Sequence, residues 1–242
     1  MSLQVPASTN EVGFVNEPVG AHSSRTMMLA ELRLLLAACP QSARLEEYKS
    51  AIIDENVLLK KTVTTRKVSF RWLQELYALN RKILIFRSLR DLWDEDTRAQ
   101  PLLALLSAVA RDPLLKSTAE RILEIPVGET VTPAMIAEAV NTSFPNRYKP
   151  TTLASIGRNV ISSWQQAGLL SGKLHKVRVR AQSQPASLAY ALLLNASRQD
   201  LRGNDTMRKS VWKSEEKEAM CDSPNHLTPV RSSNPCRTAS AV

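Results

Sequence analysis

Between Ala139 and Gln199 the chain carries no aspartate or glutamate, yet that stretch holds eight cations: Arg147, Lys149, Arg158, Lys173, Lys176, Arg178, Arg180 and Arg198. Short hydroxyls and amides are interleaved with them at helical spacing, namely Thr151, Thr152, Ser155, Asn159, Ser162 and Gln166. Such groups donate to phosphate oxygens or base edges, and lysine and arginine neutralise phosphate charge. A surface that serves only solubility mixes charge signs. Stripping every carboxylate from a cationic face adds self-repulsion, which bound phosphates would offset. Two plainer readings stand beside this one. A basic strand also blunts edge-to-edge pairing, and a small helical unit with a hairpin also serves as a protein-docking module.

A second basic stretch, 56–74, holds Lys60, Lys61, Arg66, Lys67 and Arg71 without an acid. Thr64 and Thr65 fall where a helix begins, and free backbone N–H groups there favour an anion. A solvated helix face beside an ordinary cap is the equal alternative. Catalytic signals are poor. His22 falls in a loose lead-in, His226 in the tail and His175 on the basic strand, where it reads as a phosphate or solvent contact. No phosphate-loop glycine pattern, dinucleotide fingerprint or metalloprotease histidine pair occurs. The acids Asp94, Glu95 and Asp96 read as a solvated helix end, and Cys39, Cys221 and Cys236 fit no zinc spacing. No cofactor, metal or enzymatic activity is expected.

The elements that must position the cationic groups follow from local signals. Val131-Thr132-Pro133 supplies a capping threonine and a first-turn proline for a helix whose inner face is Ile136, Ala137 and Val140. A loop with Pro145 and Asn146 follows. Pro150 opens a second helix with Leu153, Ile156, Val160, Ile161 and Trp164 inward, and Gly168 closes it. The run from Lys173 to Arg180 alternates, with Val177 and Val179 on one face and Lys176, Arg178 and Arg180 on the other, the period of a strand with one wet cationic face. Helix, helix, turn, helix and basic strand is the order of a winged helix-turn-helix, in which the last helix enters the major groove.

Upstream, period-3.6 patterns predict helices over Met27 to Leu36 capped by Ser23 or Ser24, over Leu45 to Ile53 capped by Ser42, from Thr64 to Leu79, and over Ile83 to Trp93. Leu102 to Ala110 reads as buried, Leu114 to Ile125 as one amphipathic helix, and 186–197 as a last apolar helix. The expected fold class is mainly α: a flexible lead-in over 1–23, a helical N-terminal unit over 24–98, a winged helix-turn-helix with a small β-wing over 101–198, and a disordered tail over 203–242. The 242 residues are 43% hydrophobic, enough for a real core, and only 7 are glycine, too few for phosphate-cradling loops. A net charge of +9 suggests a polyanionic partner. No secretory leader and no membrane-spanning run is read, so a cytoplasmic setting without membrane contact is expected.

Several blocks resemble, in order, the BrxA family, a small helical protein encoded in bacterial phage-exclusion (BREX) operons. They are Ala51 to Thr62 (AIIDENVLLKKT), Arg87 to Trp93 (RSLRDLW), Pro101 to Leu106 (PLLALL), Ala110 to Leu115 (ARDPLL) and Asn159 to Gly172 (NVISSWQQAGLLSG). The resemblance covers roughly residues 25–198, and the sequence departs from the family pattern from Gly203 onward. It implies a double-stranded-DNA-binding component of an antiphage island, acting beside a methyltransferase and other proteins of the operon. It carries over Lys173, Lys176, Arg178 and Arg180 of the wing and Arg158, Asn159, Ser162 and Ser163 of the helix, with nothing catalytic. The family is also likened to RNA-binding antitermination factors. RNA ranks below duplex DNA as a partner, because the A-form major groove is too deep and narrow for a helix to read. A protein-docking adaptor is the remaining alternative.

Overall fold

The start signals around Thr132 and Pro150 act as the sequence predicts. In the computed structural model, which describes residues 9–15 and 20–199, Thr132 accepts a hydrogen bond from the Met135 N–H and Pro133 fills the first turn of the helix it opens. The N-terminal elements are α1 (Thr9–Val12), a 3-10 turn (Ala21–Ser23), α2 (Leu29–Ala38), α3 (Leu45–Ile53), α4 (Val63–Tyr77) and α5 (Leu84–Leu92). Then come α6 (Gln100–Arg111), α7 (Pro113–Lys116), α8 (Ala119–Glu124), β1 (Thr130–Val131), α9 (Pro133–Ser143), α10 (Pro150–Gln166), β2 (Leu170–Ser171), β3 (Lys176–Arg178) and α11 (185–199). The protein is thus mainly helical, with one small three-stranded antiparallel sheet.

Several boundaries differ from the sequence reading. Met27 and Met28 precede α2 instead of opening it. Met28 sits in left-handed backbone, φ +54°, and the Tyr77 hydroxyl donates to the Met27 carbonyl at 2.5 Å. Ser23 lies within the 3-10 turn and caps nothing. Arg44, not Ser42, is the N-cap of α3, where the Glu47 carboxylate accepts from the Arg44 N–H. Thr62 caps α4, which begins at Val63, one residue ahead of the expected start. The helix expected over 114–125 is two short helices, broken at Ser117-Thr118, whose hydroxyls donate to the Leu114 and Leu115 carbonyls. Asp112 caps α7.

Buried side chains from both 24–98 and 101–198 join one continuous apolar core, and the described residues belong to a single compact unit, Met1–Leu201. Tyr48, Tyr77, Tyr190 and Phe86 are fully buried, with Tyr48 edge-on to Phe86. Trp93 and Trp164 are core anchors, and Trp164 donates to the Thr118 hydroxyl. Trp72 is half-buried beneath the Arg71 guanidinium, 4.4 Å from the ring centre. Tyr190 ties α11 back across the fold by donating to the Ile85 carbonyl. Buried Arg90 donates to the Leu36 and Cys39 carbonyls at the end of α2, where the helix dipole is negative, and pairs with Asp94. Of the expected lead-in, 1–8 and 16–19 lie outside the described residues, as do the expected tail over 203–242, His226, Cys221 and Cys236. No described helix is long and apolar enough to cross a membrane.

Candidate nucleic-acid interface

α9 and α10 pack closely, and Gly157 is what allows it. A Cβ at 157 would overlap the backbone carbonyl oxygen of Pro133 at the start of α9. The chain turns between the two helices through Asn146, φ +58°. After α10, Gly168 lets the chain leave the helix and Leu170-Ser171 pairs antiparallel with β3. β3 is the central strand, flanked by β1 on its other side, in the order β1-β3-β2. The four-residue connection 172–175 between β2 and β3 turns at Gly172, φ +105°, where a Cβ would overlap the His175 carbonyl oxygen.

α10 presents three faces. One packs on α9 and the core through Ile156, Gly157, Val160, Ile161 and Trp164. A second faces the 3-10 turn: the Asn159 amide donates to the His22 carbonyl, and Ser163 is fully buried there. The third runs through Thr151, Ser155, Arg158, Ser162 and Gln165, of which Thr151 and Arg158 are exposed and the others half-buried, with Thr152 half-buried beside them. Arg158 donates to the Ser155 hydroxyl at 2.9 Å, and the Gln165 amide donates to the Gly172 carbonyl, which ties this face to the hairpin turn. A cleft of about 280 Å³ separates them, lined by Arg158 and Ser162 of α10, by Leu174, His175 and Lys176 of the hairpin, and by Thr130–Pro133.

The cleft brings Arg158 and Ser162 of α10 beside His175 and Lys176 of the hairpin, Lys149 is the N-cap of α10, and Thr151, Lys173 and Arg180 are exposed. The structure withdraws three expected contacts. Asn159 and Ser163 face the 3-10 turn. Arg178, expected on the wet face, is 8% exposed and donates to the Ile122, Leu169 and Val179 carbonyls. The alternation that put it outside assumes a regular ladder, whereas β3 is three residues long. Within the second basic stretch, Lys60 pairs with Glu31 at 3.0 Å and Arg66 donates to the Ile53 and Lys60 carbonyls. Lys61, Thr64, Thr65, Lys67 and Arg71 are exposed, the last over Trp72.

Sequence reasoning missed the role of His22, which is not in a loose segment. Its ring is fully buried, Nδ1 lies 2.7 Å from Asp112 Oδ2, and Nε2 lies 2.8 Å from Ser163 Oγ. The order Asp–His–Ser resembles a hydrolytic triad, but the surroundings differ. Ser163 Oγ also accepts from the Met27 N–H and donates to the Asn159 carbonyl, in the middle of a helix and without exposure. A nucleophile needs a free approach for the reacting carbon. The arrangement is a buried bolt between the N-terminal segment, the α6–α7 junction and α10. Burial alone would raise the Asp112 pKa. The His22 charge, with hydrogen bonds from the His22 side chain and from the His22 and Leu115 N–H groups, outweighs it and holds the carboxyl below its usual range. No signal in one sequence pairs residues 90 and 141 positions apart.

Among the described residues no group of three His, Cys, Asp or Glu side chains is placed to hold a metal ion. Asp94 pairs with buried Arg90, and half-buried Asp96 with exposed Arg98. The chain matches no protein-family model and no curated protein.

Proposed function

We propose that the chain is a non-enzymatic double-stranded-DNA-binding protein whose grip is a winged helix-turn-helix formed by α9, α10 and the β2–β3 hairpin. The carrying observation is the acid-free face of α10 facing the same cleft as the basic hairpin. A helix about 10–12 Å across fits the major groove of B-DNA, with the wing on the adjoining backbone or minor groove. Thr151, Thr152, Ser155, Arg158 and Ser162 are the groove-facing groups, and Lys149, Lys173, Lys176 and Arg180 the phosphate contacts. The sequence blocks that resemble the BrxA family support a role in a BREX-type antiphage system, beside other proteins of such an operon.

The test is fluorescence anisotropy on duplex DNA, single-stranded DNA and hairpin RNA across a salt series. The wild type is compared with a variant combining Lys173→Glu, Lys176→Glu and Arg180→Glu. Duplex binding that falls steeply with salt, and is lost in the triple variant at unchanged melting temperature, is expected. Equal binding by the variant, or a preference for hairpin RNA, overturns the proposal. Arg178 is left out of the variant because it is buried.

A further inference from the structure

Leu174 stands at the turn of the hairpin and is 92% exposed, the most exposed large apolar side chain among the described residues. The turn beneath it is held. Gly172 takes a backbone conformation only glycine adopts easily, its carbonyl accepts from Lys176 Nζ at 2.6 Å, and the same carbonyl accepts from Gln165 of α10. Leucine on a fixed turn, 92% exposed, leaves nearly all of its apolar surface in water. Exposed Lys173 precedes it and Lys176 follows, and no carboxylate occurs in the sequence between 139 and 199. Its partner must therefore offer apolar surface immediately behind a dense negative shell.

We infer that Leu174 is an apolar wedge that enters the minor groove of duplex DNA at the wing and partly unstacks a base step while Lys173 holds a flanking phosphate. Stacked bases behind a phosphate backbone have the required chemistry, and aliphatic side chains open base steps from the minor groove in this way. An anionic membrane offers charge over apolar depth too, but a single leucine gives it little to bury, and the neighbouring face of α10 carries hydroxyls and amides rather than further apolar groups. This inference rests on the DNA-binding reading above.

The experiment uses the full chain and a duplex rich in TA and CA steps, which unstack most easily, with 2-aminopurine placed at those steps. Wild-type binding raises the 2-aminopurine fluorescence. Leu174→Ala removes that rise and weakens duplex binding about tenfold. Leu174→Met restores both, and all three proteins share one salt slope and one melting temperature, because the residue is neutral and exposed. If Leu174→Ala binds as tightly as wild type with the same fluorescence rise, the wedge is overturned and the DNA-binding reading stands. If wild type binds no duplex, both fall. If Leu174→Ala instead loses binding to phosphatidylserine vesicles while duplex binding is unchanged, the hairpin tip is a membrane contact and the wedge is overturned.

Discussion

Arg178 and Arg180 are two residues apart and of one type, yet the fold gives them different work. Arg178 has its guanidinium on three carbonyls at the end of α8 and beside β2, and Arg180 is exposed. Replacing Arg178 by Met strands those acceptors, and hydrogen bonds from a charged donor contribute about 1.5–3 kcal/mol each. Arg178→Met is therefore expected to lower stability by roughly 2–4 kcal/mol in urea titrations, with the salt slope of DNA binding unchanged. Arg180→Met is expected to leave stability within about 0.5 kcal/mol and to reduce the salt slope by about 1. The reverse pattern would put Arg178 on the DNA. The sequence could show that both residues share a strand face. It could not show that Ile122, 56 positions away, offers a carbonyl to one of them.

Elements were legible where their signals are local. Thr132 with Pro133, Pro150 at the start of α10 and Gly168 at its end each act within one turn of the helix they bound. The α7–α8 break was equally local, at Ser117-Thr118, whose hydroxyls bond the preceding carbonyls, but the continuous apolar periodicity concealed it. What periodicity could not reveal is the crossing of α9 over α10 at Gly157, since that depends on Pro133, 24 positions earlier. Here two effects oppose. Alanine is favoured over glycine inside a helix by about 1 kcal/mol. The added methyl meets a backbone oxygen, which yields less readily than a side chain, and such overpacking costs about 1–3 kcal/mol. Gly157→Ala is expected to be net destabilising, with a lower urea midpoint and weaker duplex binding as α9 is pushed from α10. A raised midpoint would mean that the crossing tolerates the methyl.

At the scale of the whole molecule, α10 is held from behind by the N-terminal segment as well as by α9. His22, Asp112, Ser163 and Asn159 join stretches that the sequence separates into a loose lead-in and a distal helix. The face proposed to meet phosphates needs a rigid backing, and the buried Asp112–His22 pair, bonded on to Ser163, supplies one. Such a pair is costly to break, about 3–5 kcal/mol when one partner is removed. Asp112→Asn is accordingly expected to lose about 3 kcal/mol at pH 7, since one side-chain position can no longer accept from both His22 and the α7 cap. The folded Asp112 carboxyl titrates below its usual range. Its contribution is thus complete above the unfolded value and declines as pH falls below about 4 toward the depressed folded value. Urea midpoints of wild type and Asp112→Asn should lie far apart at pH 7 and draw closer as pH is lowered from about 4. A gap that stays constant over that range would show that the bolt draws its strength from packing rather than from the Asp112 charge.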